Sequence, residues 1–201
     1  MRACVVYLHG KGGSAAEKAH YKPLFPERDV IGFDYHAAAP WEAAEEFPAY
    51  FDALREKYTR VSLIANSIGA FFAMSAQLDA YIDRAFFLSP IVDMEKLIAD
   101  LLAWAGKSEA ELRERGSIPT EFGETLSWDY LSYVRAHPLS WSAPTDILYG
   151  GRDALTSLET VSAFARRCGA RLTVMADGEH WFHTDAQLRF LDDWLRACLK
   201  N

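Results

Sequence analysis

Six short runs limit what this chain can fold into: Ala3–Leu8, Val30–Phe33, Val61–Ala65, Ala85–Ser89, Asp146–Gly150 and Leu172–Ala176. Each has strand length. Each is apolar almost without interruption, where a strand with one wet face would alternate. Continuous apolarity is expected when helices cover both faces of a parallel sheet. The segments between the runs carry a helical period. Residues 41–58 place Phe47, Phe51, Leu54 and Tyr58 three and four apart, and Leu188, Leu191, Leu195 and Leu199 do the same in 186–199. Residues 157–168 form a third such segment. Pro48 is expected to bend or restart the first of these helices, because it has no N–H to donate. Strand and helix in repetition predict an α/β fold, a three-layer doubly wound, mostly parallel sheet of about six strands with right-handed crossovers.

One region breaks the alternation. Residues 93–141 contain no convincing strand and read as helical pieces at 94–105, 108–115 and 127–136. At 201 residues the whole chain, 1–201, suits a single domain. The 93–141 stretch is then expected as a helical lid or cap inserted after a strand.

Composition excludes several classes. A net charge of −7 does not suit a surface that tracks phosphates, so no nucleic-acid partner is expected. No run reaches the roughly 18 apolar residues of a membrane helix, and no membrane partner is expected either. The first residues lead into glycines rather than a signal cleavage site. The three cysteines, Cys4, Cys168 and Cys198, are odd in number and far apart, which fits reduced thiols in a cytoplasmic protein.

Chemistry concentrates where strands end. After Val61–Ala65 the chain reads Asn66-Ser67-Ile68-Gly69 and runs directly into an apolar helix. A serine there can be an ordinary helix cap. It can also be a nucleophile on a sharp strand-to-helix turn, which requires small residues two positions to either side; here they are Ala65 and Gly69. A serine hydroxyl needs a base, and the base needs an orienting acid. Asp153 follows the 146–150 strand after Gly-Gly-Arg, and His180 follows the 172–176 strand in a glycine-containing loop. The order Ser67, Asp153, His180, each beyond its own strand, satisfies both needs. The glycine loop His9-Gly10-Lys11-Gly12-Gly13 ends the first strand and matches neither common phosphate-binding spacing.

These residues resemble the α/β-hydrolase superfamily, in a compact serine-esterase-like form, over nearly the whole chain. The resemblance implies Ser67 as nucleophile, His180 as general base and then acid, and Asp153 as its orienting partner. It implies an oxyanion hole from the backbone N–H groups of Lys11 and Ile68, a structural role for His9, and no cofactor or metal. A small-molecule acyl substrate is the implied partner. Two departures stand out: Ala65 replaces the usual first glycine of the elbow, and the family's first two strands have no counterpart before Ala3.

Rivals exist for each role. His183 competes with His180, and with Asp185 nearby a metal site is conceivable, although two histidines are too few. Asp93 and Asp177 are alternative acids. Gly12, Trp104, Trp128 and Trp181 are candidates for a substrate pocket, with Trp141 a further aromatic in the same stretch, although aromatics at helical spacing are more often core.

Overall fold

The structure is a computed structural model that describes residues 2–200. In chain order its elements are β1 Ala3–Leu8, α1 Lys18–Tyr21, β2 Asp29–Gly32, α2 Pro40–Arg55, β3 Arg60–Asn66, α3 Ile68–Ser75 and β4 Arg84–Leu88. There follow α4 Met94–Trp104, α5 Glu109–Arg115, β5 Ser117–Pro119, β6 Thr125–Ser127 and α6 Trp128–Ala136. The chain ends with β7 Thr145–Gly150, α7 Leu158–Cys168, β8 Arg171–Met175 and α8 Asp185–Leu199.

Six strands form one sheet in the order β2-β1-β3-β4-β7-β8, every neighbouring pair parallel. The register explains the unbroken apolar runs. Val5, Tyr7, Ile64, Phe86, Leu88 and Leu148 pack on one face with Tyr21, Leu191, Trp194 and Leu195. There the Phe86 and Trp194 rings meet edge to face at 6.2 Å. The intervening residues point the other way, because successive strand side chains alternate. On that side α2 packs on α3, with Phe47 and Phe72 rings 6.4 Å apart and nearly perpendicular. Losing one of these fully buried phenylalanines to alanine costs about 3–5 kcal/mol.

Helix ends follow ordinary capping chemistry. Ser157 and Thr184 accept from the backbone N–H groups of Thr160 and Gln187, and Gly169 closes α7 in a left-handed turn at φ 69°. Pro48 does not restart the helix: α2 runs through it as a single element from Pro40 to Arg55. A proline breaks one bond of the ladder, and here Phe47, Phe51 and Leu54 stay buried on either side of it.

The chain divides into two compact units, residues 1–92 with 140–201, and residues 93–139. The second contains α4, α5, α6 and the antiparallel β5–β6 hairpin, which the sequence pattern did not reveal. Arg135 on α6 grips Glu109 of α5 with two guanidinium N–H groups, at 2.6 and 2.8 Å, and donates to Glu95 of α4 at 2.7 Å. One arginine thus ties three helices together. All three cysteines are free, Cys4 and Cys198 buried. Among the described residues no helix is long and apolar enough to cross a membrane.

Candidate active site

The turn from β3 into α3 is as tight as the sequence suggested. Ser67 sits at φ 52°, ψ −117°, a conformation that non-glycine residues adopt only when their surroundings hold them there. The restraint comes from the end of β4. The Ser67 N–H donates to the Leu88 carbonyl at 2.9 Å, and the Ser67 carbonyl accepts from the Ile91 N–H at 3.2 Å. Between those two contacts lies Ser89, itself at φ 40° and fully buried, with a hydroxyl that has no partner among the described residues. Gly69 is required on steric grounds: a Cβ there would stand 2.6 Å from the His9 carbonyl oxygen.

The carboxylate arrives through a nested pair of loops. The N–H groups of Gly151 and Arg152 donate to the carbonyls of Met175 and Gly178, each at 2.8 Å. Side chains would prevent this fit, since a Cβ on Gly150 would lie 2.3 Å from the Glu179 carbonyl oxygen and one on Gly151 2.5 Å from that of Ala176. The Gly-Gly pair therefore lets the β7 loop carrying Asp153 close onto the β8 loop carrying His180. Asp153 is held at both oxygens. Its Oδ1 accepts from the N–H groups of Leu155 at 2.8 Å and Thr156 at 3.1 Å, and its Oδ2 lies 2.7 Å from His180 Nδ1.

His180 completes a chain of hydrogen bonds. Its Nε2 lies 2.8 Å from Ser67 Oγ. The carboxylate side chain is fully buried and the imidazole 19% exposed. With Asp153 ionised, Nδ1 carries the proton and Nε2 is left as an acceptor for the serine hydroxyl. The arrangement is able to withdraw a proton from Ser67 and store the resulting positive charge beside a buried carboxylate.

The glycine loop after β1 reaches the same spot. The Gly13 N–H donates to the Gly10 carbonyl at 3.1 Å, which makes residues 10–13 a turn with Lys11 second and Gly12 third, at φ 74°. A Cβ on Gly10 would lie 3.3 Å from Ser67 Cβ, so backbone passes directly beside the hydroxyl-bearing carbon. Ile68 opens α3, where the first N–H groups have no partner within the helix. His9 stacks on Tyr35 at 4.2 Å, and the Tyr35 hydroxyl donates to the His9 carbonyl.

The rivals are engaged elsewhere. His183 stacks on Trp181 and its Nδ1 lies 2.8 Å from the Trp181 carbonyl. Asp177 pairs with Arg152 at 2.6 Å, and Asp93 caps α4 by accepting from the Lys96 N–H. Among the described residues no three His, Cys, Asp or Glu side chains group to hold a metal ion. Trp181 is 67% exposed beside His180 in the chain. Trp104 and Trp128 belong to the second unit, Trp104 at the exposed end of α4 and Trp128 under the Arg113 guanidinium. Trp141 is core: it packs against Phe87 and donates to Thr145 Oγ1. Sequence reasoning missed Tyr7, Glu17 and Ser89. The last had one available signal, a serine just past a strand end in the run Leu88-Ser89-Pro90.

No protein-family model and no curated protein matches the sequence. Solved structures do. Est1E from Butyrivibrio proteoclasticus, also solved with ferulic acid bound, matches at TM-score 0.77 and 15% identity over 98% of this chain and 86% of its own. Alpha/beta hydrolase domain-containing protein 10 from mouse matches at TM-score 0.77 and 13% identity, over 98% and 89%. The Pyrococcus furiosus esterase Pf2001 matches at TM-score 0.65 and 20% identity, over 98% and 80%. The chain shares the fold of these proteins.

Proposed function

We propose that this chain, which has the α/β-hydrolase fold, is a cofactor-independent serine hydrolase that cleaves carboxylic esters of small to medium acyl groups. The observation that carries the reading is the continuous hydrogen-bond chain from Ser67 through His180 to a fully buried Asp153. Ser67 Oγ attacks the ester carbonyl as His180 Nε2 takes its proton. The negative charge on the tetrahedral oxygen falls to the Ile68 and Lys11 backbone N–H groups. His180 then protonates the departing alcohol, leaving an acyl-serine. Water, deprotonated by the same imidazole, releases the acid and restores the serine. Asp153 keeps its charge throughout and steadies the imidazolium. Two preset backbone donors and an oriented base together supply many orders of magnitude in rate. The ester reading also draws on the Pyrococcus furiosus match, described as an esterase, and on the Est1E match solved with ferulic acid, a carboxylic acid, bound.

A fluorophosphonate probe should label wild-type protein and not Ser67→Ala, and a series of p-nitrophenyl esters should turn over with a preference that sizes the acyl site. His180→Gln should abolish turnover, whereas His183→Gln should keep most of it. Labelling without ester turnover would move the reading to thioesters or amides. No labelling of the wild type would end the serine-hydrolase reading altogether.

A further inference from the structure

Tyr7 plays no part in the steps above, yet its hydroxyl sits behind them. It lies in β1, 1% exposed, and donates to Glu17 Oε2 in a short hydrogen bond. The other oxygen, Glu17 Oε1, accepts from the Ser14 N–H at 3.1 Å. That carboxylate also lies against the glycine turn, since a Cβ on Gly13 would stand 2.7 Å from Glu17 Oε1. The side-chain amide of Asn66, the residue before Ser67, acts on the Tyr7 hydroxyl as well and favours its charged form. A Cβ on Gly10 would come within 3.5 Å of the Asn66 amide nitrogen. One buried hydroxyl therefore has the carboxylate that braces residues 13–14 on one side and the neighbour of Ser67 on the other.

We propose that Tyr7 and Glu17 are positioning residues, which set the turn carrying the Lys11 N–H at the distance from Ser67 that a tetrahedral oxyanion needs. This rests on the serine-hydrolase reading of the site. The physical case is one of tolerance. An oxyanion donor works only within a few tenths of an ångström of the developing charge. The turn that carries it has three glycines among its four residues, Gly10, Gly12 and Gly13, and glycine-rich backbone does not hold a position by itself. An anchor from outside the turn has to supply the rigidity. Burial above all, then Tyr21 and Glu17, hold the Tyr7 hydroxyl far above the ordinary tyrosine range, so it remains a donor at any working pH.

The test compares Tyr7→Phe, Glu17→Ala and Glu17→Gln with wild type, after Ser67 labelling has been shown for the wild type. Tyr7→Phe keeps the ring that packs 5.1 Å from Tyr21, and Glu17 is a surface residue, so both should fold; thermal melting checks this. Tyr7→Phe and Glu17→Ala should lower kcat about 10- to 100-fold, less than removal of an oxyanion donor outright, with KM nearly unchanged. A trifluoromethyl ketone should bind more weakly by the same factor. Glu17→Gln should recover most of the rate, its carbonyl oxygen accepting from Ser14 and its amide donating to the Tyr7 oxygen. Wild-type kcat and ketone affinity in Tyr7→Phe would overturn the proposal. So would losses that follow melting temperature or KM instead of kcat. An unlabelled wild type would be a different failure, that of the hydrolase reading, and would remove the proposal along with it.

Discussion

The two ends of the sheet use the same functional group in opposite ways. Asp146, near the start of β7, accepts from Arg84 Nη2 at 2.8 Å and from Arg171 Nε at 2.5 Å, and its side chain is 4% exposed. Those arginines are the first residues of β4 and β8, on either side of β7. Asp153, just past the other end of β7, is as deeply buried, but its partner is a histidine. Arginine keeps its charge at every working pH, so the Asp146 cluster is a fixed staple across three strands. Histidine is able to exchange a proton where arginine is not, so the Asp153 end has a partner that can gain or lose charge. Just past β3 and β4, on the Asp153 side, Ser67 and Ser89 both hold positive φ.

Asp153→Asn attacks the contrast most directly. The amide nitrogen would face His180 Nδ1 and favour the tautomer that cannot accept from Ser67. We expect kcat to fall about 10³- to 10⁴-fold, with melting temperature little changed because the backbone contacts to Oδ1 survive. A comparable loss of stability would mean that Asp153 is a staple too.

Asp146→Ala is the converse. Removing one partner of a fully buried ion pair costs about 3–5 kcal/mol. Here the arginine side chains are 26% and 54% exposed and regain water, so about 2 kcal/mol is expected, read by urea unfolding. The kcat of the folded fraction should be that of wild type. A fall in kcat would show that the two ends are coupled.

Alkaline pH should also weaken the staple end. Burial pushes the Cys4 thiol up to about 11, with a smaller contribution from Asp29, and the Cys198 thiol up to about 11, with a smaller contribution from Asp146. In the unfolded chain both ionise near the ordinary cysteine value of about 8.5. Between those values the unfolded state has lost protons that the folded state keeps. Stability is therefore full below about pH 8.5 and declines as pH rises toward 11. Urea midpoints across that range should fall, and Cys198→Ala should flatten the decline. A midpoint unchanged up to pH 11 would contradict the burial of these thiols.

The sequence revealed the two ends unequally. Ser67, Asp153 and His180 could be read because each follows a recognisable strand and because proton transfer dictates their residue types. The Asp146 staple could not, since it depends on the register that sets Arg84 and Arg171 beside β7. Tyr7 and Glu17 were hidden for a related reason: tyrosine in an apolar run reads as core, and its hydroxyl becomes informative only once its partner is known. The β5–β6 hairpin escaped because each strand has three residues and buries just one, Ile118 or Leu126, too few for a period. Of the two outcomes open at Pro48, a bend or a restart, the restart did not occur because the buried stripe on either side of it kept one helix.

The smallest effect is expected at Ser89, where the two ends should part in sign. Holding a non-glycine residue at positive φ costs about 1 kcal/mol, and a buried hydroxyl without a partner costs about 1 kcal/mol more. Ser89→Gly removes both penalties and returns about 0.5–1 kcal/mol of backbone entropy to the unfolded chain. Pro90, by restricting the residue before it, reduces that return. The net should be a gain of about 1 kcal/mol, or about 2–4 °C in melting temperature for a chain of this size. The same change frees the turn whose Leu88 carbonyl and Ile91 N–H hold Ser67, so kcat should drop a few-fold while stability rises. Ser89→Ala separates the two contributions, since it loses the hydroxyl and keeps the strain: it should stabilise less and leave kcat unchanged. A glycine variant that loses stability would show that the Ser89 hydroxyl is satisfied in solution and that the turn is not a store of strain beside Ser67.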